Sequence, residues 1–156
     1  MFSRHPSDLY ERLMRFLDLP PIWLVLFLAV TWMSPWIVPW GPMSIAGLLI
    51  IATGFLMTVA ALVEFRRART TVIPRQSPDA LITSGIFRYS RNPIYLSDVL
   101  ILLGFALMWG KLVGIALVPV FAWMLERRFI RGEEARLRDA FGEEFIAYSA
   151  RTRRWI

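Results

Sequence analysis

The chain has 156 residues, enough for one domain, and 56% of them are hydrophobic, above the roughly 45–50% typical of soluble domains. A small soluble core could not bury this much apolar surface, and the mean hydropathy is +0.50, so we expect an integral membrane protein. The chain has no cysteine, and His5 is its one histidine. This composition excludes disulfides, cysteine nucleophiles, histidine triads, and thiolate or multi-histidine metal sites, so we expect no metal.

The net charge of +6 is carried almost entirely by arginine, since seventeen of the eighteen basic residues are Arg. These arginines cluster beside the apolar segments instead of forming one basic stripe. Such a distribution indicates membrane topology and contact with lipid headgroups, and it does not favour nucleic acid as a partner.

The amino-terminal stretch, residues 1–20, has apolar residues at helical spacing (Leu9, Leu13, Phe16 and Leu17) among charged ones. This pattern predicts an amphipathic helix that lies on the membrane surface. A cleavable signal peptide is not expected, because the apolar segment that follows is too long.

Four apolar segments predict four membrane spans, at about residues 22–38, 43–63, 93–109 and 112–125. Pro35 and Pro39 should kink or end the first span, and Gly47 and Gly54 should give the second a face of small residues for close helix packing. The two short turns between spans hold one basic residue, Lys111. All the other basic residues lie in the amino end, the middle loop and the tail, which places both termini in the cytoplasm.

After the fourth span, the charged stretch Glu126 to Ala140 predicts a continued helix that Gly142 can stop. A last amphipathic helix is predicted over residues 143–150. The fold class is therefore an all-α integral membrane four-helix bundle, with an amphipathic amino-terminal helix and a cytoplasmic carboxy-terminal helical extension, in a single domain over residues 1–156.

The stretch from residue 83 to residue 95 is polar although it lies between two apolar segments. Asn92-Pro93 has the pattern of a helix N-cap followed by proline at the first helical position, and Gly85 permits a close backbone approach. The same stretch contains the polar side chains of Arg88, Tyr89, Arg91 and Tyr95. The positive end of the helix dipole of the third span should lie beside them.

Acidic residues are expected to lie close to this stretch. The third and fourth spans are antiparallel neighbours, so the end of the fourth span should lie beside the start of the third. Glu133 and Glu134 follow the fourth span and could face the arginines across a pocket, although ordinary interfacial ion pairs would give the same pattern. Asp98 lies inside the third span, where a carboxylate is costly, so it should face the bundle interior with a partner such as Arg88, Arg91 or Tyr95, or else reach headgroup water. Glu64 ends the second span and is expected to be interfacial.

Residues 81–95 resemble a signature of the isoprenylcysteine carboxyl methyltransferases and their phospholipid methyltransferase relatives, approximately L-x-T-x-G-x-[FY]-x-x-x-R-[HN]-P-x-Y. The carboxy-terminal part of the chain also resembles this family. Glu133-Glu134, residues 141–145, Tyr148 and residues 154–156 follow the order of that family's tail. The resemblance covers about residues 70–156.

The resemblance implies a membrane methyltransferase that uses S-adenosylmethionine at the cytoplasmic face, capped by the tail, with a lipophilic acceptor entering from the bilayer. Carried over by position, it implies a cofactor pocket formed by Gly85, Tyr89, Arg91, Asn92, Pro93, Tyr95, Glu133 and Glu134, with Arg91 as the catalytic residue on the acceptor side. From the residues themselves we add Arg88 to the cofactor-binding set, and Asp98 and Glu133 as catalytic candidates that could take a proton. Two departures are present: Asn92 stands where the eukaryotic carboxyl methyltransferases have histidine, and Thr152-Arg153 replaces a Val-Pro pair.

The identity of the acceptor stays open between a carboxylate and an amine. A carboxylate needs no base and could be aligned by an arginine, whereas an amine must first lose a proton, for example to Asp98 or Glu133. The alternatives are therefore a methyltransferase of isoprenoid or lipid carboxylates, a phospholipid N-methyltransferase, and a non-catalytic membrane scaffold that has the same fold.

Overall fold

The structure is a computed structural model that describes residues 19–35, 42–70 and 80–156. Three predictions fall outside these ranges: most of the amphipathic helix over residues 1–20, most of the first turn at residues 36–41, and part of the middle loop at residues 71–79. The described residues contain helices and no strands, which confirms the all-α prediction.

The described residues form five α-helices, one 3-10 turn and one π-turn. In chain order they are α1 Pro20–Met33, α2 Pro42–Arg67, a 3-10 turn Gly85–Arg88, α3 Pro93–Met108, α4 Leu112–Leu125, a π-turn Glu126–Ile130, and α5 Arg131–Arg151. The four apolar helices α1 to α4 form the bundle, with α2 packed mainly on α3, and α4 on α3 and α1.

The helix of the first predicted span ends just before Pro35, one of the two outcomes expected for that proline. The helix α1 ends at Met33, because the residue before Pro35 is biased away from helical geometry and Ser34 closes the helix with its N–H on the carbonyls of Val30 and Thr31. Fourteen residues span about 21 Å, short of the roughly 30 Å hydrocarbon core. Within the described ranges, one helix, α2, is both long and apolar enough to cross a membrane by itself.

Close packing of α2 on α3 depends on glycine, as the small-residue pattern predicted. A Cβ atom on Gly47 would lie 2.5 Å from the carbonyl oxygen of Gly104, and one on Gly104 would lie 2.7 Å from that of Gly47. About three turns further along α2, the hydroxyls of Thr58 and Ser97 share a 2.7 Å hydrogen bond between the two helices. The backbones of α2 and α3 are therefore in close contact where these helices pack. This contact fixes the position of the start of α3 relative to the end of α2.

The other end of the bundle is closed by Lys111, the one basic residue in the turn between α3 and α4. Its side chain is 2% exposed, and its ammonium donates to the carbonyls of Trp32 (3.1 Å) and Ser34 at the carboxy end of α1. A cation there is favourable, because these carbonyls lack helical partners and the helix dipole is negative at this end.

The extension leaves α4 through the π-turn and bends at Gly142, which adopts φ 48° and ψ −120°. Only glycine visits that conformation readily, so the chain turns there without strain. Gly142 does interrupt the helix where predicted, but the helix resumes directly. The π-turn was not predicted. The π-turn and the bend at Gly142 together direct α5 toward the amino end of α3.

Candidate functional site

The site is built on the amino end of α3. Asn92 is the N-cap residue and Pro93 the first helical residue, as predicted, but no side chain caps the helix. The Asn92 side-chain amide instead donates to the carbonyl of Arg154 at 3.1 Å, and its backbone N–H donates to the Ser90 hydroxyl at 3.1 Å. The first turn of α3 therefore keeps its positive end free of a capping side chain.

Four charged residues form what we call the clasp: Arg91, Glu126, Glu134 and Arg154. Glu134 is 8% exposed and accepts from Arg91 at 3.1 Å and from the Arg154 Nη2 at 2.6 Å. Arg154 reaches on to Glu126 at 3.0 Å. The clasp thus joins the amino end of α3, the start of α5 and the tail, and it brings Arg91 into direct contact with Glu134, one of the two glutamates expected to face it.

The tail is tied to the same place by its backbone. The carbonyl of Arg153 accepts from the N–H of Arg91 at 3.0 Å, beside the bond from Asn92 to Arg154. The phenol of Tyr148 donates to the carbonyl of Phe87 at 2.7 Å, and burial raises the pKa of Tyr148 to about 12, so the phenol stays protonated and can donate at neutral pH. The tail therefore covers the amino end of α3.

Charges in the clasp stabilise one another. The hydrogen bond from Arg131 lowers the pKa of Glu126, assisted by Arg154, and the hydrogen bond to Glu134 raises the pKa of Arg154. Glu126 and Arg154 therefore both stay charged across the physiological range.

Glu133 lies beside the clasp but has a different partner. Its Oε2 accepts from the Tyr95 hydroxyl at 2.9 Å, and the Tyr95 side chain is buried at the first turn of α3. Burial raises the pKa of Glu133, although the Tyr95 hydrogen bond and the nearby Arg136 oppose that shift. Glu133 is thus a carboxylate whose charge the protein compensates only in part, next to the uncapped helix end.

Asp98 faces the bundle interior as predicted and is 8% exposed. One of its two carboxylate oxygens, however, lacks the partner that was expected. Its Oδ2 is buried and has no hydrogen bond among the described residues. Of the expected partners, Arg91 binds Glu134, the Tyr95 hydroxyl binds Glu133, and Arg88 is exposed. The prediction of a paired Asp98 was therefore wrong for Oδ2, because the first turn of α3 directs its polar groups toward α5.

Three residues predicted for the cofactor site lie away from the clasp. Arg88 and Tyr89 are exposed on and after the 3-10 turn, with Tyr89 76% exposed. Gly85 packs on the carboxylate of Glu64, where a Cβ would come within 2.6 Å of the carboxylate carbon. Glu64 itself is 7% exposed and accepts a hydrogen bond from Ser84, so its carboxylate is buried within the protein at the end of α2.

Sequence reasoning missed the side chains that close the site. Glu126 and Arg154 are members of the clasp, and Ser84 holds Glu64 across twenty residues of chain. Arg154 had a signal, since it lies in the tail that resembles the family pattern. No sequence signal pointed to Glu126 or Ser84, because the fold decides which residues these two side chains contact.

Comparisons with known proteins show the family to which the chain belongs. A family model described as "Phospholipid methyltransferase" matches residues 42–144, which is most of the chain and includes α2 to α4 with the start of α5. The chain belongs to the phospholipid methyltransferase family.

A relative of this family member is the protein-S-isoprenylcysteine O-methyltransferase of Schizosaccharomyces pombe, 31% identical over 74 residues. The aligned part is 47% of this chain and 31% of the relative, so the match spans under a third of the relative's length. No solved structure matches the chain. Within the described residues, no three carboxylate or histidine side chains lie close enough together to hold a metal ion.

Proposed function

We propose that this methyltransferase-family chain transfers a methyl group from S-adenosylmethionine to a lipophilic acceptor in a membrane. The observation that carries the proposal is the clasp with its neighbour Glu133, gathered at the uncapped amino end of α3 and covered by the tail. A scaffold could use the ion pairs of the clasp, but it would not need Glu133, a partly buried carboxylate whose charge is compensated only in part, beside the uncapped helix end.

The chemistry of these residues fits the cofactor. S-adenosylmethionine has an amino-acid end with an ammonium and a carboxylate. Glu133 offers a carboxylate to the ammonium, and the first-turn N–H groups of α3 offer donors to the carboxylate. The buried Nε of Arg91 has no hydrogen-bond partner in the described part of the chain, which leaves one strong donor available to a ligand.

When bound, the cofactor supplies an electrophilic methyl group for a single in-line displacement. The protein has therefore mainly to position the two reactants and exclude water. The guanidinium of Arg91 is held by Glu134, and the backbone N–H of Arg91 by the carbonyl of Arg153, so the side chain is already oriented before a ligand arrives. Tyr95 orients Glu133 in the same way.

An amine acceptor, as in a phospholipid N-methyltransferase, is the second candidate, and one observation favours it. The unpartnered Oδ2 of Asp98 lies about one turn inside α3 from Tyr95, buried in the bundle. A carboxylate in that position can accept a proton or a hydrogen bond from an ammonium. A carboxylate acceptor would find a like charge there.

We place the bundle in a membrane with the clasp at the cytoplasmic face. The length and apolar surface of α2 support the membrane location, and the concentration of arginine at the clasp end supports the orientation.

The direct test is incubation of the purified full chain with isotopically labelled S-adenosylmethionine and a total lipid extract, followed by identification of the labelled lipid. We expect one lipid class to gain label. Arg91→Ala should reduce labelling at least a hundredfold, whereas Arg138→Ala, which removes an exposed arginine on α5, should not. Absence of both labelling and cofactor binding would favour the scaffold.

A further inference from the structure

The side chain of Arg154 makes more contacts in the clasp than covering the end of α3 requires. Its Nε, Nη1 and Nη2 atoms all donate to the carboxylates of Glu126 and Glu134. The tail is already attached to the start of α3 by the backbone carbonyls of residues 153 and 154. The side chain therefore has a role in the site that attachment of the tail does not explain.

The guanidinium of Arg154 fixes the plane of the Glu134 carboxylate. Its Nε lies 3.1 Å from Oε1 and its Nη2 lies 2.6 Å from Oε2, so two donors grip one carboxylate. A fork-shaped contact of this kind fixes the direction of the carboxylate as well as its distance. The Nη1 atom donates to Glu126 at 3.0 Å, so Arg154 is itself held from a second side.

The fixed carboxylate in turn decides where the guanidinium of Arg91 lies. The Oε1 atom of Glu134 that accepts from Arg154 also lies 3.1 Å from Nη1 of Arg91. Nε of Arg91 is buried and has no hydrogen-bond partner within the described ranges. Because a guanidinium is rigid and planar, holding Nη1 restricts the position of Nε, the donor that is left for a ligand.

The charges of the clasp indicate the same role. Glu134 has one negative charge between two guanidinium groups, so it cannot neutralise Arg91 and Arg154 together. Glu126 meets Arg154 from the other side, but it also binds Arg131 at 2.9 Å. Without Arg154, Glu134 would pair with Arg91 alone, and the attraction between that guanidinium and an anionic ligand group would weaken.

We propose, building on the function proposed above, that Arg154 is a positioning residue for methyl transfer, which orients Arg91 through Glu134 without touching either reactant. The tail then has two separate tasks. Its backbone covers the start of α3, and one of its side chains aligns the guanidinium that acts on the ligand.

A change of the Arg154 side chain should leave the tail in place, because other groups attach it. The carbonyl of Arg153 accepts from the N–H of Arg91, and the carbonyl of Arg154 accepts from the side-chain amide of Asn92. Trp155 packs against the apolar cluster between α3 and α4. These contacts remain when residue 154 is substituted, so a substitution there tests the orientation of Arg91 and not the attachment of the tail.

The kinetic test measures labelled methyl transfer by the purified full chain. Arg154→Gln should lower kcat about tenfold, because a misplaced group loses the aligned geometry that the reaction needs. The KM for S-adenosylmethionine should change little, since Glu133 and the first-turn N–H groups are untouched. Arg153→Gln removes the same charge from the exposed neighbouring side chain and should leave kcat within about twofold. Equal losses of kcat in the two variants would overturn the proposal in favour of general surface charge.

A double substitution shows whether the two arginines act as one unit. If Arg154 acts through Arg91, adding Arg154→Gln to Arg91→Ala should lower the residual rate by less than about twofold. The same loss in both backgrounds would show that Arg154 acts by another route, and it would overturn the proposal.

A readout that needs no activity separates this proposal from the proposed function. In nitrogen-15 NMR spectra of the full chain in detergent micelles, the Nε–H signal of Arg91 is identified by its loss in Arg91→Lys. Because Nε is buried, its hydrogen should exchange slowly with water, and Arg154→Gln should speed this exchange about tenfold, whereas Arg153→Gln should not. Unchanged exchange in Arg154→Gln would overturn the positioning role. Faster exchange in a chain that neither binds nor uses S-adenosylmethionine would support the contact and count against the proposed function.

The backbone N–H of Arg91 provides the internal control, because it donates to the tail carbonyl of Arg153 at 3.0 Å. Its exchange should stay slow in Arg154→Gln, which would show that the tail remains attached while the side chain of Arg91 loosens. Equal acceleration at the backbone and side-chain sites would mean that the tail had detached, and it would overturn the proposal in favour of a purely structural anchor.

Discussion

Adjacent glutamates at the start of α5 have different environments. Glu134 bonds to two arginines and joins three parts of the chain, whereas Glu133 has one hydrogen bond, from Tyr95. Neighbouring residues on a helix point about 100° apart, so one can hold the structure while the next faces a ligand. The sequence alone left the two indistinguishable.

Paired substitutions should separate these roles. Glu134→Gln removes the charge that Arg91 and Arg154 share, so we expect a loss of about 2 kcal/mol of stability, seen as a lower midpoint of thermal unfolding. Glu133→Gln should leave the midpoint within a degree or two at neutral pH but weaken S-adenosylmethionine binding about tenfold. The reverse pattern in thermal unfolding and cofactor titration would exchange the assignments.

Glu133 should also make stability depend on pH, because burial raises its pKa in the folded protein above the unfolded value of about 4.3. Its contribution to stability is full below that value and is lost as pH rises through the raised pKa, since the folded state must then hold a buried charge. The midpoint of Glu133→Gln relative to the parent should therefore rise between about pH 4 and pH 7. A difference that is constant with pH would contradict the assigned environment.

At the scale of elements, the amino end of α3 is where sequence and structure agree most closely. Proline at the first helical position and the antiparallel arrangement of α3 and α4 were enough to predict that acids after the fourth span would approach Arg91, and Glu134 does. The side-chain bonds of Asn92 could not be predicted, because its partner, the carbonyl of Arg154, lies sixty-two residues away. Local patterns specify where a helix begins, and long-range contacts decide what its end group binds.

Glycine at the contact between α2 and α3 gives a prediction about this element pair. Gly47→Ala would place a methyl group 2.5 Å from the backbone oxygen of Gly104, so the helices must separate and the midpoint of thermal unfolding should fall by several degrees. Gly132→Ala is the matched control, because its methyl would meet only a flexible arginine end at 3.6 Å and alanine favours a helix by up to about 1 kcal/mol. Equal effects would show that the tight contact contributes nothing.

For the whole molecule, composition predicted an all-α fold and the bundle correctly, because apolar segments of this length have few other solutions. Composition did not give the true lengths of the helices. Hydropathy extended the first predicted span to residue 38, and Pro35 was expected to kink or end it; the helix stops at Met33 ahead of Pro35. Hydropathy measures transfer into lipid, and the backbone geometry around proline decides where a helix ends.

The proposed orientation can be checked with single cysteines, since the natural chain has none to interfere. Pro35→Cys and Asp139→Cys both change exposed positions, near the carboxy end of α1 and on α5. In intact cells a membrane-impermeant maleimide should label the cysteine at position 35 and reach the one at position 139 only after permeabilisation. Labelling of both in intact cells would place the clasp on the outer face.

The π-turn between α4 and α5 determines the direction in which the second half of that long helix faces. A π-turn accommodates one more residue than an α-helical turn, and one residue corresponds to about 100° of rotation. Without the extra residue, the side chains of α5 would be turned by that angle about the helix axis. The acids that now meet the start of α3 would then point elsewhere, with every amino acid in α5 unchanged. Homologues that differ by one residue in length at this joint should therefore differ in which face of α5 meets α3.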